Sequence, residues 1–306
     1  LVLVKINSSL ILVFLILLIN CNNYNILEGE TMGTYYVIKI VDPFQHNYTP
    51  FIVQNKIDSL LEKINKHLST YLEKSEINRF NEYDDIEPFS ASDDFIEIVN
   101  KSIYMHDISN GAFDITVQSL YNEWGFDSYD LKETIPDSSA ILDILEYTGT
   151  EKIEIKEKMI VKKDPRVQLD VSAIAKGWAV DKISILLENI GLTNYLIDIG
   201  GEVKVSGNNK AGNPWKIGIR SPEEELLDIH SNINITNLAI ATSGTYLNYF
   251  TIDDMNFSHL IDPVSGFPIQ HELISATIVA KDCATADAVA TAVMVKGMEE
   301  GMRWIE

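Results

Sequence analysis

The order in which helix-type and strand-type hydrophobic patterns follow one another along the chain constrains the fold more than any other feature. Over residues 53–68, apolar side chains recur every three or four positions with charged residues between them, which predicts an amphipathic helix. Further helices are predicted at residues 93–106, 137–147, 172–189 and 284–295. Short apolar or alternating runs predict strands at residues 34–41, 152–155, 159–161, 167–169, 195–199, 202–205, 215–219, 238–241, 249–252 and 274–280. The sequence therefore predicts the α+β class, as a single mixed domain of antiparallel-rich sheets flanked by helices.

The charge balance narrows the classes of partner. The chain has 24 Lys and Arg against 45 Asp and Glu, a formal net charge of −21. Such a field repels phosphate backbones and anionic lipid headgroups, so we expect no nucleic-acid partner. An anionic substrate would need a local reversal of sign, and a bound dication is the simplest means. The two cysteines, Cys21 and Cys283, are too few for a disulfide framework.

The N-terminal residues predict export. Lys5 precedes an apolar run at residues 10–19, which is too short to span a bilayer and is typical of a secretory signal. Residues 18–21 resemble the processing box of bacterial lipoproteins, which makes 1–20 a signal peptide and Cys21 the lipidated residue. Residues 21–29 would then form a short tether. The alternative is a plain cleaved signal, or a single hydrophobic anchor, with an incidental cysteine.

The remaining chain, residues 30–306, is predicted to be the catalytic domain. It shows no internal repeat and no long linker. Its last residues, 298–305, are still apolar-periodic and no glycine stop follows them, so we expect the C-terminus to be incomplete.

Single motifs leave their chemistry open. Asp287 and Thr291 are four residues apart in a helical pattern, which places two hard oxygens on one face where Mg²⁺ could bind, although both could equally be structural. His259 precedes a Pro and Gly turn and could be an acid or base, or a structural histidine. Lys176 with Gly177 suits an anion at a helix start but lacks the spacing of a phosphate loop. The glycine patterns of Rossmann dehydrogenases and α/β-hydrolases are absent from the sequence.

Together and in this order, eight motifs resemble those of the FAD:protein FMN transferase family, once described as thiamine-biosynthesis lipoproteins. The motifs are Glu30-Thr31-Met32-Gly33-Thr34, Leu68-Ser69-Thr70-Tyr71 with residues 75–81, Gly111-Ala112-Phe113-Asp114 with Trp124-Gly125-Phe126, residues 169–177, Asp198-Ile199-Gly200-Gly201-Glu202, Ala241-Thr242-Ser243-Gly244, residues 259–266 and residues 286–292. The resemblance covers nearly all of the chain after the tether.

The resemblance implies an enzyme that binds FAD with Mg²⁺, splits the pyrophosphate and transfers FMN to a threonine or serine hydroxyl of a partner protein, releasing AMP. Typical acceptors are subunits of membrane redox complexes such as the sodium-pumping quinone reductase. The implied location is the periplasmic side of the cell inner membrane, held there by the lipid anchor.

The resemblance also assigns roles to residues. The FAD contacts fall on Met32, Tyr71, Ala112, Phe113, Asp114, Asp170, Lys176 and Ile261. The metal ligands fall on Asp287, Thr291 and the backbone carbonyl of Ala173, while Ala290 stands where some members have a further acidic ligand. We expect Tyr71 and Phe113 to offer ring faces to the flavin or adenine. A threonine hydroxyl is a weak nucleophile, so a base must remove its proton, and the catalytic candidates for this are His259 and Asp287. In our hypothesis His259 assists proton transfer and Asp287 chiefly holds the metal.

Other functions stay open at this point. One is a periplasmic FAD pyrophosphatase, in which water takes the place of the acceptor and the products are FMN and AMP. Another is a non-catalytic FAD-binding lipoprotein, which would not need a metal at the pyrophosphate. A generic solute-binding lipoprotein would show two similar lobes, and the sequence shows none.

Overall fold

The computed structural model describes residues 24–45, 47–126, 134–220, 229–246, 249–252 and 255–306. The predicted signal peptide 1–20 and Cys21 lie outside these residues. The helices are α1 (Pro50–Leu68), α2 (Glu76–Asn81), α3 (Asp93–Ser109), α4 (Gln118–Trp124), α5 (Ser138–Leu145), α6 (Ser172–Asn189) and α7 (Cys283–Ile305). The strands are β1 (Asn25–Thr31), β2 (Thr34–Ile40), β3 (Phe89–Ser90), β4 (Ile153–Lys156), β5 (Met159–Lys162), β6 (Tyr195–Ile199), β7 (Glu202–Ser206), β8 (Trp215–Arg220), β9 (Ile229–Ile235), β10 (Leu238–Gly244), β11 (Tyr249–Ile252), β12 (Met255–Ser258) and β13 (Ser275–Ala280).

A six-stranded sheet of order β1-β2-β6-β7-β10-β13 forms the centre of the fold. All of its strand pairs are antiparallel. Three smaller sheets, β3-β5-β4, β8-β9 and β11-β12, are also antiparallel within the described residues. The mixed α+β domain with antiparallel sheets, as predicted from the sequence, is confirmed.

The two faces of the central sheet are covered differently. Alternate residues of β2 and β6, such as Ile38 and Ile197, are buried against helices α1, α3, α6 and α7 in one large apolar cluster. Residues of the opposite face, such as Val203 and Val205, pack against Trp215 and the β8–β9 hairpin. The helices of the main core therefore cover one face of this sheet, and two of them, α6 and α7, carry Ala173, Lys176, Asp287 and Thr291 of the candidate site.

A smaller cluster lies beside the main core. Helices α4 and α5 pack with the β11–β12 hairpin and with the turn after it, and Trp124 Nε1 donates to the carbonyl of Gly266 at 2.8 Å. This cluster fixes the segment that carries His259 and Ile261.

The predicted helices and most predicted strands are confirmed, with ends that differ by a few residues in all but one of them. The exception is α7, which was predicted to end at residue 295 and continues to Ile305 across a kink at Gly297. The strand predicted at 167–169 is wrong. Leu169 finds its hydrogen bonds on a side chain instead of a neighbouring strand, because Asn81 Oδ1 accepts from its N–H at 2.7 Å and Asn81 Nδ2 donates to its carbonyl at 2.9 Å.

Residues 25–29, which the sequence analysis assigned to the tether, form most of β1. They pair with β2 across a two-residue turn, and alternate residues of β1 are buried. Five further elements were not predicted: α2, α4, β3 and β12 are too short to give a clear pattern, and the longer β9 is too polar. None of the helices within the described residues is long and apolar enough to cross a membrane.

Candidate functional site

Asp287 is held where helices α6 and α7 cross. The backbone N–H of Gly177 donates to its Oδ2 at 3.0 Å, and the residue is 3% exposed. The helices approach so closely because Gly177 has no side chain: a Cβ there would lie 2.4 Å from the carbonyl oxygen of Cys283. Burial raises the pKa of Asp287, against the opposing effects of Lys176 and the Gly177 N–H.

Asp181 fixes the start of α7. Its Oδ1 and Oδ2 accept from the backbone N–H groups of Cys283 and Ala284, both at 3.0 Å, and Lys204 Nζ pairs with it at 2.8 Å. These groups tie α6, α7 and β7 together within one turn of Asp287. The position of that carboxylate is therefore set by the packing of three elements.

The other two predicted metal ligands lie in the same helical layer. Thr291 follows Asp287 by one turn of α7, and its Oγ1 lies 3.1 Å from the hydroxyl of Ser243 on β10. Ala173 is in the first turn of α6 and is half-buried. The contact between α6 and α7 is at Gly177 and Asp287, so Ala173 lies one turn before it on α6 and Thr291 lies one turn after it on α7.

Asp170 organises the loop before α6. Its carboxylate accepts from Ser172 N at 2.7 Å and from Ser172 Oγ at 2.8 Å, while its own N–H donates to Ile115. Burial raises the pKa of Asp170, and the two bonds from Ser172 oppose that rise. With Asn81 bound to Leu169, this loop is held on both sides of the predicted FAD-contact residue.

Lys176 lies between two buried carboxylates. Its Nζ is 3.3 Å from Oε1 of Glu202, the first residue of β7. Burial disfavours its charged form, but the charges of Asp287 and Glu202 outweigh that effect and raise the pKa of Lys176. Burial also raises the pKa of Glu202 to about 8; Lys176 opposes that rise and the charge of Asp287 adds to it.

Asp114 is engaged by the protein itself. Its Oδ1 accepts from the N–H of Thr116 at 2.7 Å, and its Oδ2 accepts from the N–H of Thr150 at 3.0 Å and lies 3.1 Å from His106 Nδ1. The side chain of Asp114 is 2% exposed. Its carboxylate therefore shapes the loop at 111–114, and its predicted contact with FAD stays a prediction.

The two predicted ring faces differ in exposure. Tyr71 is 75% exposed, so its ring can receive a planar ligand. Phe113 is 2% exposed and its ring lies in the main apolar cluster, so the expectation that it offers a ring face is corrected. The backbone N–H of Phe113 donates to Ser109 Oγ at 3.0 Å, and the side chain packs into the core beside this turn, which the sequence pattern did not show.

Met32 and Ile261 occupy turns. Met32 and Gly33 both have positive φ, 50° and 71°, and join β1 to β2 in a two-residue hairpin turn. Ile261 is buried and bridges to Pro268, which closes the 261–268 turn. His259 directly follows β12 and is half-buried.

Comparison with known proteins identifies the family. The sequence profile of the ApbE family matches residues 32–306. The chain belongs to the ApbE family. A curated relative from Vibrio cholerae, named FAD:protein FMN transferase, is 39% identical over 278 residues, which cover 90% of this chain and 82% of that protein. A relative of the same name from Escherichia coli K12 is 33% identical over 279 residues, covering 90% of this chain and 79% of that protein.

Solved structures of ApbE proteins share the fold. The flavin transferase ApbE from Vibrio cholerae superimposes with a TM-score of 0.84 at 37% identity, covering 93% of this chain and 90% of that one. The apo form of the flavinyl transferase ApbE from Pseudomonas stutzeri gives a TM-score of 0.84 at 32% identity, covering 93% of this chain and 88% of that one.

The predicted donors of this ApbE-family chain are of the chemical type that suits a hard dication. They are the carboxylate of Asp287, the hydroxyl of Thr291 and the carbonyl of Ala173, which are the oxygen types that Mg²⁺ prefers. Oε2 of Glu202 is buried without a hydrogen-bond partner among the described residues. The ammonium of Lys176 is the positive charge beside two buried carboxylates, those of Glu202 and Asp287. Asp287 is the acidic member of this predicted set. The described residues contain no group of three or more His, Cys, Asp or Glu side chains placed to hold a metal.

Sequence reasoning missed four residues that support this ApbE-family site: Asn81, His106, Asp181 and Glu202. Three of them act on residues far away in sequence, such as Asn81 on Leu169 or Asp181 on Cys283, whereas His106 acts on the nearby Asp114. Two of them, Asn81 and Glu202, stand in motifs that carried the resemblance, and that position was the signal available for finding them.

Proposed function

We propose that this ApbE-family chain transfers FMN from FAD to a threonine or serine hydroxyl of a partner protein and releases AMP. The curated relatives from Vibrio cholerae and Escherichia coli described above are named FAD:protein FMN transferase. The observation that carries the proposal is the buried carboxylate of Asp287, which accepts a hydrogen bond from Gly177. Asp287 lies one helical turn before Thr291 and in the field of the Lys176 ammonium. This arrangement suits a pyrophosphate that a protein of net charge −21 would otherwise repel.

The reaction balances as a single phosphoryl-group transfer. The acceptor oxygen forms a bond to the FMN phosphorus, and the bond from that phosphorus to the bridging oxygen breaks. AMP leaves with the bridging oxygen, and the acceptor hydroxyl loses its proton. We assign His259 as the base that accepts this proton; it directly follows β12 and is half-buried.

Asp287, Thr291 and the carbonyl of Ala173 would hold Mg²⁺. When bound, this ion supplies positive charge that offsets the charge of the pyrophosphate and of the leaving phosphate. Lys176 adds a second positive charge close to Asp287. With the dication bound, the site would have the local positive charge that the net negative charge of the protein does not provide.

Binding of FAD also needs apolar contacts. The exposed ring of Tyr71 can stack on the isoalloxazine or adenine, with the turns at Met32 and Ile261 as further contacts. The loops carrying Asp170 and Asp114 are held by hydrogen bonds to these carboxylates, from Ser172 in the first loop and from Thr116 and Thr150 in the second. Loops held in this way would limit the entry of water, which competes with the acceptor hydroxyl.

The location and acceptor belong to the same proposal. We infer an exported enzyme, anchored through a lipid on Cys21 to the periplasmic side of the cell inner membrane. Its acceptor would be a subunit of a membrane redox complex of the sodium-pumping quinone reductase type or a related one. Support comes from the apolar run at residues 10–19 and from the family resemblance.

The experiment is an assay of AMP release. Purified protein is incubated with FAD and Mg²⁺, with and without a peptide that carries an acceptor threonine; the matched control peptide carries valine there. We expect the threonine peptide to stimulate AMP release and to become covalently labelled with fluorescent flavin. AMP release of equal rate with both peptides would favour the pyrophosphatase, and FAD binding without AMP would favour a storage protein.

A further inference from the structure

Glu202 is a buried acidic residue to which the proposed chemistry gives no role. It opens β7 directly after Gly200 and Gly201, whose φ angles of 59° and 107° form the tight turn from β6. The residue is 4% exposed. Its Oε2 has no hydrogen-bond partner among the described residues, and its Oε1 lies 3.3 Å from Lys176 Nζ.

Lys176 has two buried carboxylates as possible ion-pair partners, those of Glu202 and Asp287. In the described part of the chain it pairs with Glu202, and no ion pair joins it to Asp287. Asp287 is held by a different donor, the N–H of Gly177. The ammonium still lies in the field of Asp287, whose charge is the largest of the effects that raise the pKa of Lys176.

The charges in this cluster do not cancel. With both carboxylates ionised, Asp287, Lys176 and Glu202 sum to one negative charge, in a place where burial makes an uncompensated charge costly. A dication at Asp287 would turn that sum to one positive charge, which suits a pyrophosphate. An ammonium paired with Asp287 would instead occupy the carboxylate that the dication needs.

We propose that Glu202 is a positioning residue: its carboxylate holds the ammonium of Lys176 and so keeps the carboxylate of Asp287 available to the dication. This inference rests on the proposed function, since it takes Asp287 as the cation ligand. Loss of the charge on Glu202 would let Lys176 turn to Asp287, because opposite charges attract strongly in a buried site.

The test measures cation binding without any turnover. Mn²⁺ is titrated into the purified protein in the absence of FAD, and free Mn²⁺ is followed by electron paramagnetic resonance under nitrogen. Burial raises the pKa of Glu202 to about 8, so the titrations are run at pH 8.5, above that value, where most of Glu202 is ionised. The variants are Glu202→Gln, Lys176→Met, the double variant, and Glu202→Asp as the conservative change.

We expect Glu202→Gln to weaken Mn²⁺ binding about 10-fold, the low end for residues that act through a metal ligand. Lys176→Met should bind Mn²⁺ more tightly than the wild type. The double variant has the same cluster charge as the wild type and should bind within about 3-fold of it, and Glu202→Asp should bind more tightly than Glu202→Gln. Thermal unfolding without Mn²⁺ shows whether each variant is folded.

Two results would overturn the inference. One is wild-type Mn²⁺ affinity in Glu202→Gln. The other is a double variant as weak as Glu202→Gln, since Glu202 would then act on the cation directly or through the fold. AMP release by the wild type, measured in parallel, separates the two proposals: release with an unaltered Glu202→Gln affinity defeats this inference alone, and the expected Mn²⁺ pattern without AMP release defeats the proposed function alone.

Discussion

The backbone N–H of Gly177 donates to Oδ2 of Asp287 at 3.0 Å, although the two residues are 110 positions apart in the chain. This bond joins the helix that carries Ala173 and Lys176 to the helix that carries Asp287 and Thr291. The candidate metal ligands are therefore positioned by one helix crossing, and the crossing depends on the absence of a side chain at residue 177.

Gly177→Ala should loosen this crossing. The added Cβ would lie 2.4 Å from the Cys283 carbonyl oxygen, so the helices must move apart. We expect a loss of about 1–3 kcal/mol in the free energy of unfolding, the usual cost of overpacking, measured by urea denaturation. Ile185→Ala, a change at an exposed residue of the same helix, is the control and should cost less than about 0.5 kcal/mol. Equal costs for the two variants would contradict the crossing model.

Asn81→Ala should release the loop before α6. The variant removes both bonds to the backbone of Leu169 and leaves two buried polar groups unpaired, so we expect a loss of roughly 2–4 kcal/mol in the free energy of unfolding. Asn81→Asp keeps the acceptor and loses the donor, and should lie between Ala and the wild type. Glu82→Ala, at an exposed neighbour, is the control. A ranking in which Asp is no better than Ala would contradict the role of the Leu169 N–H bond.

The pair of His106 and Asp114 predicts a pH dependence of stability. The hydrogen bond to Asp114 raises the pKa of His106 above its usual 6.5, so this stabilisation is complete below 6.5 and is lost as pH rises through the raised value. For Asp114, burial is outweighed by its bonds to His106 and Thr116, which lower its pKa below 3.8; that stabilisation is present above 3.8 and is lost as pH falls through the lowered value.

His106→Gln should therefore differ most from the wild type between about pH 4 and 6.5. The measurement is the unfolding free energy of both proteins from pH 3 to 9, with the exposed His230→Gln as control. A difference that grows as the pH rises above 7 would contradict the pairing.

His259→Asn tests the assigned proton acceptor. If His259 takes the proton of the acceptor hydroxyl, transfer to the threonine peptide should slow by roughly 100-fold, with FAD affinity little changed. The rate and the dissociation constant of FAD are measured separately, and His230→Gln again serves as control. A near-normal transfer rate in His259→Asn would remove the role from this residue.

Local patterns predicted much of the fold, while long-range contacts decided the site. Helix 172–189 was predicted with its observed ends, because its composition and flanking turns are local signals. The hydrogen-bond partner of Asp287 was not predictable, because the donor is the backbone N–H of Gly177. Every residue except proline has such a group, so the sequence does not indicate which one is used. The burial of Phe113 likewise depends on how the 111–114 turn packs, and the pairing of Lys176 with Glu202 depends on the neighbouring strand β7. The motif order indicated which residues belong to the site, and the structure supplied what each one contacts.

The most direct measurement is the rate of AMP release from FAD by the wild type and by Asp287→Asn, each with Mg²⁺ and with excess EDTA. Asp287→Asn keeps the size of the side chain and can still accept from Gly177, so it removes charge with little change of shape. We predict release by the wild type only with Mg²⁺, and a rate about 100-fold lower in Asp287→Asn. Release at the wild-type rate by Asp287→Asn, or undiminished release in EDTA, would contradict the account.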